Sequence, residues 1–161
     1  MDTTANTLIW LLYHLAKFPK VQEKAFQEIS EVCQGGDYQA GMLEKLPYMK
    51  LVFKDSYRLN PLGGGVLRIL GNEVTLMDGY VLPKKTSLLL NPVPLYRHKD
   101  YVENPNELVP ERWTDEEKEK RKDTPASLID HPFFILPFSF GYFFLFFSFL
   151  FLFLFLFLFF F

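Results

Sequence analysis

At 161 residues the chain is long enough for one modest domain with a real core. Its net charge of -2 and pI near 5.9 exclude the strong basic bias of a nucleic-acid-binding domain. Its single cysteine, Cys33, excludes an internal disulfide and is compatible with a reducing compartment.

No charged n-region, apolar h-region and cleavage site follow Met1. Asp2 is placed to cap a first helix, in which Leu8, Leu11, Leu12 and Leu15 recur at helical spacing and predict an apolar stripe. Phe18-Pro19 breaks that helix, and Pro19 suits the first position of a second one. There Val21, Ala25, Ile29 and Val32 form the apolar face, with Glu23, Lys24, Gln27, Glu28 and Glu31 predicted to be solvated around it. Gly35-Gly36 ends it, and one helical turn is expected near Met42–Leu46. Pro47 opens a third helix that runs to about Leu59, where Asn60-Pro61 stops it, because a residue before proline avoids helical dihedrals.

Gly63-Gly64-Gly65 is a flexible connector. Residues 66–70 and 73–77 read as two short strands joined by Gly71-Asn72, with Asp78-Gly79 as a second turn. Thr86 to Leu90 is a further strand or the start of a helix. Pro92, Pro94, Pro105 and Pro110 mark a long irregular stretch, and Asp115 to Asp123 is a mixed charge run that reads as a solvated loop or frayed helix. There are no internal repeats. Residues 143–161 hold only Phe, Leu and Ser and carry 12 of the 19 phenylalanines, so the high aromatic fraction belongs mostly to this tail. Its uncharged length suits a membrane span, its Phe-Leu alternation suits an aggregating strand, and its composition also suits translation of a pyrimidine-rich stretch of nucleic acid.

Taken one at a time, the chemistry-bearing groups have ordinary explanations. Asp2-Thr3-Thr4 is a helix start rich in capping residues. Asp55 and Arg58, three apart, share a helix face and can pair, as surface ion pairs of little energetic weight commonly do. Arg68 sits in an apolar strand and must find a partner or extend to solvent. Lys50 and Lys54, four apart, make a solvated face. Phe138-Ser139-Phe140-Gly141 is a weak pattern by itself.

Their order says more. Asp2-Thr3-Thr4, Asp55-Ser56-Tyr57-Arg58, Pro110-Glu111-Arg112-Trp113 and Pro137-Phe138-Ser139-Phe140-Gly141 follow one another as in the C-terminal half of a cytochrome P450, which residues 1–142 resemble. The resemblance implies an α+β, mainly α fold: a distal helix, a triad helix, a small antiparallel sheet and the approach to the heme loop. It implies a heme-thiolate monooxygenase that inserts one oxygen atom of O2 into a lipophilic substrate, with heme b as cofactor. By position, Asp2 and Thr3 match the acid and hydroxyl that relay protons. Asp55, Arg58 and Arg112 match a buried structural triad, with Asp55 one methylene shorter than the family's glutamate. Arg68 matches the arginine that bonds a heme propionate, and Phe138 and Gly141 match the heme loop. That loop continues in the family with arginine, cysteine and glycine two, four and six residues after the glycine. Here those places hold Phe143, Leu145 and Phe147, and leucine cannot ligate iron, so the resemblance implies that this chain binds no heme and is inactive as it stands.

Thr7-Leu8 with Trp10, Tyr13-His14-Leu15 and His131-Pro132-Phe133 are similar to the mitochondrial class. That class implies an acidic ferredoxin received by Lys50 and Lys54, and the mitochondrial inner membrane as location, the endoplasmic reticulum membrane being the alternative. Because the first motif opens the chain, the family's N-terminal majority is expected to lie outside these residues. The composition break after Gly141, inside a motif, favours reading the tail at 143–161 as not evolved structure. Two rival expectations remain: a non-catalytic membrane-anchored fragment, and a gene-model or pseudogene remnant.

Overall fold

A computed structural model describes residues 2–36, 39 and 41–135. Phe138, Gly141, Leu145 and the whole 143–161 tail lie outside the described residues.

Three helices form the larger body: α1 (Asp2–Lys17), α2 (Pro19–Cys33) and α3 (Pro47–Leu59). Prolines set two of the starts. Pro19 and Pro47 each occupy the first turn, where a missing N–H costs no hydrogen bond. Helix α2 ends on Gln34 in the left-handed region (φ 50°), just before Gly35-Gly36. A 3₁₀ turn, Met42–Lys45, leads into α3. The helices bury Leu11, Leu15, Ala25, Leu46, Met49 and Val52 against one another.

Two details of these helices differ from expectation. The buried stripe of α1 is Thr7, Leu11, His14 and Leu15, while Leu12 is 43 % exposed beside Ile9, Trp10 and Tyr13. The leucine pattern is compatible with two rotations of the helix, and Ser56 on α3, which meets His14 Nδ1 at 2.8 Å, selects one of them. Glu28 is only partly solvated. Its two oxygens accept the N–H groups of Tyr48 (2.7 Å) and Met49 (2.9 Å), because Leu46, before α3, has no side chain that can cap.

Strand β1 (Val66–Ile69) pairs antiparallel with the distant β4 (Ser87–Leu90), Val66 opposite Leu90 and Ile69 opposite Ser87. Strands β2 (Val74–Thr75) and β3 (Val81–Leu82) form their own hairpin. The expected pairing of 66–70 with 73–77 across Gly71-Asn72 does not form. The Leu70 N–H donates instead to Thr86 O (3.0 Å), and Lys85 N–H donates to Leu70 O (2.9 Å), which extends the β1–β4 ladder. The true hairpin turn is Asp78-Gly79, with Gly79 at φ 79° and Leu76 N–H on Tyr80 O (2.8 Å). Gly65 is required where β1 begins. At φ +142° a Cβ there would lie 2.2 Å from Leu90 O.

The second body is built on irregular chain. A short helix α4 (Val93–Tyr96), a 3₁₀ turn at Pro110–Trp113, helix α5 (Asp115–Lys120) and a 3₁₀ turn at Pro125–Asp130 enclose Tyr96, Val102, Trp113, Ile129 and Phe134. The charge run holds a true short helix because Thr114 caps it, accepting from Glu117 N–H at 3.4 Å. Helix α3 lies between the two bodies: Met49 and Val52 face the first and Leu51 faces the second. Among the described residues no helix is long and apolar enough to cross a membrane.

Candidate functional site

Of the described candidate residues, Asp55, Arg58 and Arg112 come together. Asp55 and Arg58 are 0 % exposed and Arg112 is 7 % exposed. Helix α3 supplies the first two from adjacent turns of one face, and the 3₁₀ turn supplies the third. Arg58 donates Nε–H to Asp55 Oδ1 (2.7 Å) and one Nη2–H to Oδ2 (3.3 Å), a two-point contact. Arg112 Nε lies 3.0 Å from the same Oδ1, at ion-pair distance, although its N–H is not aimed at a hydrogen-bond acceptor among the described residues.

Asp55 holds more than the arginines. Its Oδ2 accepts Val109 N–H (2.7 Å), and its Oδ1 accepts the indole N–H of Trp113 (3.1 Å). One carboxylate thus fastens α3 to both sides of the Pro110 turn. The remaining guanidinium donors go to backbone. Arg58 reaches the carbonyls of Tyr96 (2.9 Å), Pro105 (2.7 Å) and Glu107 (2.9 Å). Arg112 reaches those of Glu103 (2.8 Å) and Asn104 (3.5 Å). Two buried cations face one anion, and five carbonyl dipoles supply the remaining negative potential. Burial holds the Arg112 guanidinium below its ordinary value, and the nearby Asp55 carboxylate opposes that shift.

A second polar cluster braces the same turn from outside. Glu111 accepts from Lys24 of α2 (2.8 Å) and from the Tyr48 hydroxyl (3.1 Å), and Lys24 Nζ lies 4.3 Å from the Tyr48 ring centre. Burial, the largest single influence, pushes the Glu111 carboxyl up, but the hydrogen bond and charge of Lys24, together with the carboxyl's backbone and Tyr48 hydrogen bonds, outweigh it and leave the group below its ordinary value. Burial also pushes the Tyr48 hydroxyl well up, with Glu111 adding to the effect. His14, buried beside Ser56, is held below its ordinary value chiefly by burial.

The other candidates stand apart from this network. Thr3 is exposed on the first turn of α1, where its carbonyl accepts the Thr7 hydroxyl (3.1 Å), and Asp2 is the first residue of that helix. Arg68 is exposed on β1 and donates to Leu67 O (3.0 Å). Lys50 is exposed, whereas Lys54, one turn on, is half-buried with its Nζ 4.1 Å from the centre of the Trp113 ring. Trp113, the Val109 N–H and the five carbonyls are the contributors that sequence reasoning missed. A tryptophan beside a buried arginine is a usable signal, since a buried indole N–H needs an acceptor. The carbonyls have no side-chain signature.

The order of these elements along the chain, with the Asp55 network tying helix to turn, can be set beside known proteins. A profile of the family described as Cytochrome P450 matches residues 1–142. The chain belongs to the cytochrome P450 family. It is 35% identical over 142 residues to mouse (Mus musculus) mitochondrial sterol 26-hydroxylase, covering 88% of this chain and 26% of that protein. It is 34% identical over 146 residues to cytochrome P450 CYP12A2 of Musca domestica, covering 88% of this chain and 27% of that protein. A crystal structure of the cytochrome P450 CYP102L1 matches with a TM-score of 0.67 and 28% identity, over 74% of this chain and 28% of that one. The P450 chain therefore spans about a quarter of the curated relatives it matches. The family's cofactor is heme. The one cysteine of the sequence, Cys33, is buried at the end of α2.

Proposed function

We propose that residues 1–142 are the C-terminal share of a heme-thiolate monooxygenase of the mitochondrial class, acting on a lipophilic substrate at the mitochondrial inner membrane. The observation that carries this is the fully buried Asp55 carboxylate, shared by Arg58, Arg112, Trp113 and Val109. Such a network costs several kcal/mol in desolvation, roughly, unless every member is paired, so its presence marks a junction whose geometry matters. The likeness to mitochondrial hydroxylases supports the class.

In this reading the network is structural. It holds the Pro110–Trp113 turn against α3 and thereby orients the chain that leads towards Phe138 and Gly141. Asp2 and Thr3, at the start of α1, hold and pass a proton, a task that suits a carboxylate beside a hydroxyl. Arg68 would hold a heme propionate in the intact enzyme. Lys50 and Lys54 present positive charge to an acidic ferredoxin, whose association is then steered by charge and weakened by salt. The 161 residues by themselves, with Leu145 at the ligand's place, carry out no thiolate chemistry. Sequencing the transcript on both sides of the reading frame tests the proposal. It is expected to encode Arg-x-Cys-x-Gly in frame beyond Gly141 once the pyrimidine-rich stretch is passed. Flanks that encode neither that pattern nor further P450 helices upstream would overturn it.

A further inference from the structure

We propose that Lys54 is a positioning residue for the buried Asp55 network: its ammonium, seated on the face of Trp113, holds the indole where Nε1 meets Asp55. Lys54 and Asp55 are neighbours in sequence and so point away from one another on α3. Trp113, arriving from the 3₁₀ turn, touches both. Its face lies 4.1 Å from the Lys54 ammonium, and its edge N–H lies 3.1 Å from Asp55 Oδ1. The ring itself is 2 % exposed. A tryptophan face is the strongest aromatic seat for a cation, and the contact gains where water is excluded.

The surroundings sharpen the point. The charged groups that face Lys54 are Lys118 on α5, Arg121 just after it, Asp130 on the last 3₁₀ turn, and Asp55 on its own helix. Lys118 is drawn off by Asp115 (2.6 Å), and Arg121 by Asp130 (2.6 Å). Two cations and partial burial all disfavour a charged lysine here, and burial lowers its proton affinity first among these causes. A flexible four-carbon stem could carry the ammonium out to water, as Lys50 does one turn earlier. Lys54 stays because the indole face attracts it. The two lysines that look equivalent in sequence are therefore different. Loss of Lys50 removes surface charge, whereas loss of Lys54 also frees the lid over Trp113 and loosens its hydrogen bond to Asp55. This holds whatever partner the surface receives.

The test uses the whole chain carrying Trp10→Phe, which leaves Trp113 as the one tryptophan. Emission wavelength and acrylamide quenching of Trp113 are read in Lys54→Met, Lys54→Arg and Lys50→Met. Lys54→Met is expected to shift the emission to the red and increase quenching. Lys54→Arg, a cation that also stacks on aromatic faces, is expected to restore the parent values, and Lys50→Met to leave them unchanged. Parent-like values in Lys54→Met, or the same change in Lys50→Met, would overturn the proposal. If Lys54→Met does not fold, an alkaline titration decides. A step in Trp113 emission in the parent that Lys54→Arg lacks supports the proposal, and superimposable traces overturn it.

Discussion

Replacing Arg58 by alanine is the most informative perturbation of the buried network. The substitution removes a fully buried cation from Asp55, to which it is bound at 2.7 and 3.3 Å, and strips the carbonyls of Tyr96, Pro105 and Glu107 of a donor. Breaking a buried pair by removing one partner costs about 3–5 kcal/mol. The orphaned carbonyls would add roughly 1–3 kcal/mol each if they stayed dry, but the volume vacated by the guanidinium admits water, so the lower range is the better guide. Arg112 remains as a counter-ion at 3.0 Å and keeps Asp55 from being wholly uncompensated. A loss of about 3–5 kcal/mol is therefore expected, a large share of the roughly 5–15 kcal/mol that stabilises a typical domain. Urea denaturation followed by far-UV circular dichroism measures it, with an osmolyte present so that the variant starts folded. Lys24→Ala is the control. Its partner Glu111 is 44 % exposed, and such pairs contribute at most about 1 kcal/mol. If Arg58→Ala costs no more than Lys24→Ala, the network does not hold helix to turn.

Glu28→Ala should cost about 0.5–2 kcal/mol by uncapping α3, and hydrogen exchange at the Tyr48 and Met49 amides should accelerate; unchanged exchange would contradict the cap. His14, held below its ordinary 6.5 by burial, contributes stability that is complete above pH 6.5 and is lost as pH falls through its lower folded value. The unfolded chain binds the proton more readily, so stability should rise with pH across that window, and His14→Gln should flatten the rise in a series of denaturation curves. Gly65→Ala should destabilise by more than about 1 kcal/mol, because a methyl group at φ +142° meets Leu90 O at 2.2 Å; a neutral effect on the melting curve would contradict the β1–β4 junction.

Much of the helical frame was legible because punctuation residues act locally. Pro19, Pro47, Gly35-Gly36 and Asn60-Pro61 each constrain their own dihedrals, and the helices begin and end beside them. The spacing of Asp55 and Arg58 was legible for the same reason, since three residues always return to one helix face. What required the fold was long-range. The partner of β1 is β4 rather than β2, because the ladder extended from Leu70 to Thr86 while Asp78-Gly79 made the closer hairpin. Glu28 read as a solvated carboxylate until α3 brought two bare amides to it. Lys50 and Lys54 read as a matched pair until Trp113 arrived under one of them. Spacing put Arg112 within the family pattern, but its docking on the carbonyls of Glu103 and Asn104 depends on a loop path that no residue type encodes.

The proposal that leucine stands at the ligand's place in this P450 share is tested most directly by heme titration of the 161-residue chain, read after reduction under carbon monoxide. With Leu145 proposed at the ligand's place and Cys33 buried at the end of α2, the account predicts no thiolate-type Soret band. A thiolate-type band that disappears in Cys33→Ala would contradict it.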